Sequence, residues 1–173
     1  MGTIDMIEQV HPQVYRVTAA FDQSEAHVYL LLGDQVALVD TCVAASVPRF
    51  IEPALRSLDL KLGDIDLIIN THAHHDHLGG NAAVRKASAK VKVLVHEADR
   101  PFTDVPDGFL TSEFDISHLF KMIGREDMLA DRRATLDRNI GPSPVVDRWL
   151  KDGDKLDLGR GLELDVIHTP GHT

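Results

Sequence analysis

Residues 71–80 read Thr71-His72-Ala73-His74-His75-Asp76-His77-Leu78-Gly79-Gly80, four imidazoles with one carboxylate set among them. Imidazole nitrogen and carboxylate oxygen are donors that Zn²⁺, Fe²⁺ and Mn²⁺ accept, so the chemistry on offer is metal ligation. On an extended turn His72 and His74, two apart, converge on one ion. Asp76 and His77, adjacent at a helix start, swing toward a second. His75 falls out of this register and faces away. A His-rich surface loop or a tag is the competing reading. This tract, however, is internal, carries its Asp in register and has patterned apolar segments on both sides.

Those segments must position the ligands. Ile65 and Leu67-Ile68-Ile69 read as a buried strand, and residues 78–87 as a helix opening with Gly79-Gly80. A strand-to-helix turn is where α/β folds present functional side chains. Upstream, residues 14–17, 27–32 and 36–39, with Gly33-Asp34 as a turn, predict an antiparallel meander. Ser46 is placed to cap a helix in which Phe50, Ile51, Ala54, Leu55 and Leu58 keep a helical period. Pro48 suits its first turn and Pro53 lies deep enough to kink it. Residues 91–95 predict a strand that ends at His96, a half-buried polar residue more than a ligand. Residues 155–158 and 162–167, joined by Gly159-Arg160-Gly161, predict a hairpin that leads to His172; Gly171 permits tight backbone geometry beside it. His168, at the strand end, reads as structural.

Between residues 100 and 149, Pro- and Gly-marked loops surround two predicted helices, 112–123 and 126–136. Phe114, Leu119, Phe120 and Ile123 form a stripe on the first, which either packs on the core or covers a pocket as a lid. The expected layout is one domain, 1–173, with 100–149 as a helical insertion.

The pattern His-x-His-x-Asp-His over residues 72–77, followed by Leu78-Gly79-Gly80, resembles the signature of the metallo-β-lactamase superfamily of metal-dependent hydrolases. Leu38-Val39-Asp40-Thr41 and Ile167-His168-Thr169-Pro170-Gly171-His172-Thr173 agree with it. The resemblance implies an αββα sandwich, two β-sheets face to face between outer helices. It implies one metal on His72, His74 and His172 and a second that takes Asp76 and His77, with Zn²⁺ as the expected ion, two per complete site, and Fe²⁺ or Mn²⁺ as alternatives. It also implies a bracing rather than ligating Asp40. The family's bridging Asp and last His would fall beyond Thr173, so the second sheet is expected to be incomplete. The chain alone is then expected either to be aggregation-prone or to assemble with a second copy or a complementary C-terminal chain.

At 173 residues with 43% hydrophobic side chains the chain can bury a sizeable core. A net charge of −9 argues against a nucleic-acid groove, and no run has the roughly 18 apolar residues of a membrane span. Residues 1–10 lack a basic-then-apolar layout, and a single Cys, Cys42, suits a reducing compartment, so a cytoplasmic location is expected. Cys42 itself reads as a small buried thiol. Gly-x-Ser-x-Gly and Walker motifs are absent. The chemistry expected is hydrolysis of a small-molecule acyl bond, a thioester, lactone or similar, by a metal-activated hydroxide, with Asp76 as the catalytic carboxylate that orients the nucleophile and carries a proton. Two other readings stand beside it: a metal-binding fragment or subunit without turnover, and an iron-dependent oxidoreductase of the same superfamily.

Overall fold

Apolar side chains occur on both faces of the central strands, a pattern that only a sheet covered on both sides satisfies. In a computed structural model, which describes residues 6–103, 117–140 and 145–172, seven strands form one sheet in sequence order. These are β1 (Ile7–His11), β2 (Val14–Phe21), β3 (Ser24–Leu32), β4 (Val36–Val39), β5 (Leu67–Ile69), β6 (Lys92–His96) and β7 (Arg148–Leu150). The first four pair antiparallel, which is the expected meander with one strand added in front. From β4 onward the pairing is parallel.

Parallel neighbours need crossovers, and right-handed crossovers that keep moving in one direction all lie on one face. That face carries a π-helical turn (Val47–Ile51) running into α1 (Glu52–Arg56), then α2 (His75–Leu78) and α3 (Asn81–Ala87). Between β6 and β7 come α4 (Arg100–Thr103), α5 (Ser117–Met122) and α6 (Asp127–Asn139). Val47, Ile51, Leu55 and Val84 pack there on Val28, Leu30, Leu38, Ile68, Val93 and Val95. The opposite face presents Leu31, Ala37, Ile69 and Leu94 to a second sheet, β8 (Lys155–Asp157) with β9 (Glu163–Asp165), through Leu156, Leu158 and Leu162. Tyr29, Val39, Leu67, Leu164 and Val166 on this side are only partly buried. The architecture is the expected mixed α/β sandwich, its second sheet a single hairpin among the described residues.

Four local expectations need correction. The helix predicted over 78–87 begins earlier, at His75, and is broken at Gly79-Gly80 rather than opened by it. Both glycines serve close approach: a Cβ on Gly80 would lie 2.6 Å from the Thr41 carbonyl, and one on Gly79 would meet the Asn139 carbonyl. Ser46 precedes the helix as foreseen but makes no side-chain cap bond. Pro53 follows a π-helical turn rather than an α-helical one, inside a run that is helical from Val47 to Arg56. The insertion expected to reach 149 stops short of β7, whose pairing with β6 a three-residue strand could not announce. Phe114 and residues 141–144 lie outside the described residues, whereas the second predicted helix is present as α6.

The hairpin is fastened to the β3–β4 turn, where Asp34 and Gln35 donate their N–H groups to the Leu158 carbonyl at 2.6 and 3.0 Å. A Cβ on Gly33 would fall inside that carbonyl's van der Waals envelope. Gly33→Ala is therefore expected to cost about 1–3 kcal/mol, the range for overpacking a tight contact. Urea unfolding of the two proteins measures it, and an unchanged midpoint would mean that the fastening carries no load.

Candidate metal centre

The parallel strands β4, β5 and β6 end on the same edge, and each hands a polar residue to it: Asp40, Thr71-His72 and His96. Ligand-bearing side chains collect at such carboxyl ends. Asp40, 3% exposed, has a left-handed φ of +63°, a conformation Asp tolerates better than most residues. Its Oδ1 accepts the Thr71 backbone N–H at 2.8 Å, and its Oδ2 accepts the Thr71 hydroxyl at 2.8 Å. The same Oδ2 lies 2.8 Å from His77 Nδ1. A carboxylate only accepts, so His77 Nδ1 carries the hydrogen and Nε2 keeps its lone pair.

The same accounting fixes His72. The single Thr71 hydroxyl hydrogen goes to Asp40, so His72 Nδ1, 3.0 Å from Thr71 Oγ1, is the donor of that contact. His72 Nε2 is thereby left as an acceptor, and it faces His74 Nδ1 at 3.0 Å. His172 arrives from the second sheet on the segment after β9, whose Val166 and His168 N–H groups bond to Asp154 and Asp152 and whose Gly171 has a φ of +125°. Its ring centroid lies 4.9 Å from that of His72 and 4.6 Å from that of His74. The three offer ligand nitrogens all within 4.8 Å of one another, the one such cluster among the described residues. Zinc–imidazole bonds of about 2.0–2.1 Å set tetrahedral partners roughly 3.3 Å apart. His72 and His74 already stand near that spacing, and His172, exposed on its loop, has a small inward movement to make.

Burial pushes His72 down to about 3, with the neighbouring His77, His74 and His172 adding to the shift and Asp76 opposing it. Burial likewise pushes His74 down to about 4, helped by His172. Both rings are neutral at ordinary pH, the state a cation requires. The donor set thus fits a divalent ion.

Asp76 and His77 are not part of that three-residue cluster; Asp76 Oδ2 lies 3.7 Å from His77 Nε2. The His72 and His77 ring centroids are 4.0 Å apart. His75 turns away and meets the Phe21 ring edge-on at 6.5 Å. Cys42 is fully buried behind the loop, and burial raises its thiol pKa. His96 and His168 stack across the sheets at 4.1 Å. With His72 and His172 they line a cavity of about 460 Å³ between the sheets.

Sequence reasoning missed the support beneath the loop. Thr41, Asn70 and Asn81 are all buried. Thr41 Oγ1 lies 2.7 Å from Asn81 Oδ1, Asn81 Nδ2 donates to Asn70 Oδ1 at 2.7 Å, and Asn70 Nδ2 donates to the His77 carbonyl at 3.1 Å. Two asparagines flanking a His motif are a weak sign; only their shared burial gives them meaning.

Fold and site together define a two-sheet α/β protein with a cluster of three histidines whose spacing could hold a metal ion. The profile of the metallo-β-lactamase superfamily matches residues 22–173, and the chain belongs to that superfamily. It is 29% identical over 122 residues to a hydroxyacylglutathione hydrolase of a Polaromonas species, covering 70% of this chain and 31% of that protein. A hydroxyacylglutathione hydrolase of Aeromonas hydrophila is 30% identical over 73% of this chain and 33% of its own. Among solved structures, a metallo-β-lactamase family protein from Thermus thermophilus superposes with a TM-score of 0.72 at 27% identity, over 95% of this chain and 54% of that one. A subclass B3 metallo-β-lactamase of Bradyrhizobium japonicum gives 0.68 at 26%, over 97% and 53%. The chain spans about a third of the length of these curated relatives and about half of these solved chains.

A pH dependence follows from the two depressed imidazoles. Between the unfolded value of 6.5 and the folded values, the unfolded chain binds protons that the folded chain refuses. Stability of the metal-free chain therefore falls as pH drops below 6.5 toward 4. Urea midpoints at about pH 7.5 and about pH 5.5 should differ less in His72→Gln than in the natural chain. Equal differences would mean that His72 titrates normally.

Proposed function

We propose that this chain carries the metal site of a hydrolase that cleaves a small-molecule acyl bond, a thioester, lactone or similar. The observation that supports it most is the meeting of His72, His74 and His172, from two different sheets, at a cavity of about 460 Å³. In this reading the three imidazoles hold one Zn²⁺, with Fe²⁺ or Mn²⁺ as alternatives of similar ligand preference. Held by His72, His74 and His172, such an ion would supply a hydroxide nucleophile at neutral pH by lowering the pKa of water to about 7.

The chain's own groups do the rest. His77 Nε2 and Asp76 extend the ligand set toward a second ion. Asp76, half-buried beside the cluster, orients the attacking water and accepts its proton, then returns a proton to the leaving group. Asp40 holds His77 in the tautomer that leaves Nε2 open. Walls from both sheets exclude water from the acyl group. Among the described residues no helix is long and apolar enough to cross a membrane, and the single buried thiol suits a cytoplasmic location.

One observation favours a second reading, metal binding without turnover: among the described residues only Asp76 and His77 stand where the second ion would bind, too few for a tight site. Kinetics separate the two. The zinc-loaded chain should hydrolyse simple thioesters or lactones and lose that activity on chelation. Asp76→Asn should retain zinc at the three histidines while its rate falls about 10²- to 10⁴-fold. Retained zinc with no turnover in the natural chain would sink the hydrolase reading and leave the binding one.

A further inference from the structure

The cavity beside the histidines has a composition that selects among acyl substrates. Its volume, about 460 Å³, lies in the range of small-molecule sites, roughly 300–1,000 Å³. Ile69 and Leu150 line it from the first sheet, and Leu156, Leu164 and Val166 from the second. The apolar lining continues outward through Ile167, 75% exposed at the cavity and adjacent to His168. A lone exposed Ile needs no explanation, but this one prolongs an apolar wall into solvent.

Among the described residues lining the cavity the acidic groups are Asp99, buried, and Asp165, exposed; no Lys or Arg lines it. The nearby cation, Lys155, is held by Asp165 and Glu163 at 2.8 Å each and borders a different cavity. An anionic ligand therefore finds no cationic side chain on the described walls of the cavity. One neutral donor is present: His96 Nδ1 accepts the Ala98 N–H at 3.2 Å, so the hydrogen of the neutral ring sits on Nε2. Stacked on His168, that ring gives an otherwise apolar wall a polar handle.

Resting on the hydrolase reading, we propose that the site takes an uncharged aliphatic acyl group, its tail against the Leu156, Leu164 and Val166 wall and the Ile167 lip, rather than an anionic thioester of the glutathione kind. Glutathione brings two carboxylates, for which no Lys or Arg stands among the described residues lining the cavity. On this proposal the substrate differs from the one named for the hydroxyacylglutathione hydrolases to which the chain is 29% and 30% identical.

Binding tests this without relying on turnover. Butanamide, hexanamide and octanamide, with S-hexylglutathione as the anionic probe, are titrated into the zinc-loaded chain by calorimetry. Affinity should rise about two- to fourfold per added methylene, the gain expected from apolar burial. S-hexylglutathione should bind roughly tenfold more weakly than hexanamide, or weaker still. Ile167→Lys, at an exposed position that leaves the core untouched, should weaken octanamide about three- to tenfold and strengthen S-hexylglutathione. Affinity independent of chain length, absent binding of every amide, or tighter binding of S-hexylglutathione would overturn the proposal. The two readings fail separately. A steep amide series with no hydrolysis of aliphatic esters removes the hydrolase reading alone. Turnover of glutathione thioesters in preference to aliphatic ones removes the substrate proposal alone.

Discussion

Everything at the metal edge depends on the buried carboxylate of Asp40. A carboxylate taken out of water is costly unless donors surround it, and three converge here: the Thr71 N–H, the Thr71 hydroxyl and His77 Nδ1. That convergence sets the path of the loop between β5 and α2, and with it the directions of His72 and His77. Thr71 passes the constraint on, because its one hydroxyl hydrogen is taken by Asp40 and the tautomer of His72 follows. The left-handed φ at Asp40 and again at Cys42 is the backbone cost of bringing this carboxylate under the loop, of order 1 kcal/mol at each position.

The loop is held from below as well as above. Thr41, Asn70 and Asn81 tie the His77 carbonyl to the start of α3 in a buried network whose members satisfy one another. Gly79 and Gly80 let the chain after β4 and the end of α6 press against the same turn. The insertion helix α6 thus braces the back of the loop: its last residue, Asn139, accepts the Ala44 N–H at 2.8 Å.

What the sequence made legible was local. The His-Asp tract, the meander and the Gly159-Arg160-Gly161 hairpin each lie within a short window and carry their own turn chemistry; the structure places the meander and the hairpin as expected, whereas the helix expected after the tract already begins within it, at His75. The bracing role of Asp40 could be carried over only by resemblance, because its partners are 31 and 37 residues away and no spacing rule spans that distance. β1 and β7 went unseen for opposite reasons. β1 is mostly exposed and lacks an apolar alternation, and β7 is three residues long and depends on its neighbour β6 for definition. The cavity was invisible for the same reason as the Asn70–Asn81 pair: its walls come from two sheets, so only packing brings them together.

The central claim is that three imidazoles from two sheets hold one divalent ion with a position left open. X-ray absorption on the chain loaded with one equivalent of zinc tests it most directly, with His172→Ala as the paired sample. The account predicts three imidazole nitrogens at about 2.0–2.1 Å in the natural chain and two in the variant. Fewer than three in the natural chain, or the same number in both, would contradict it.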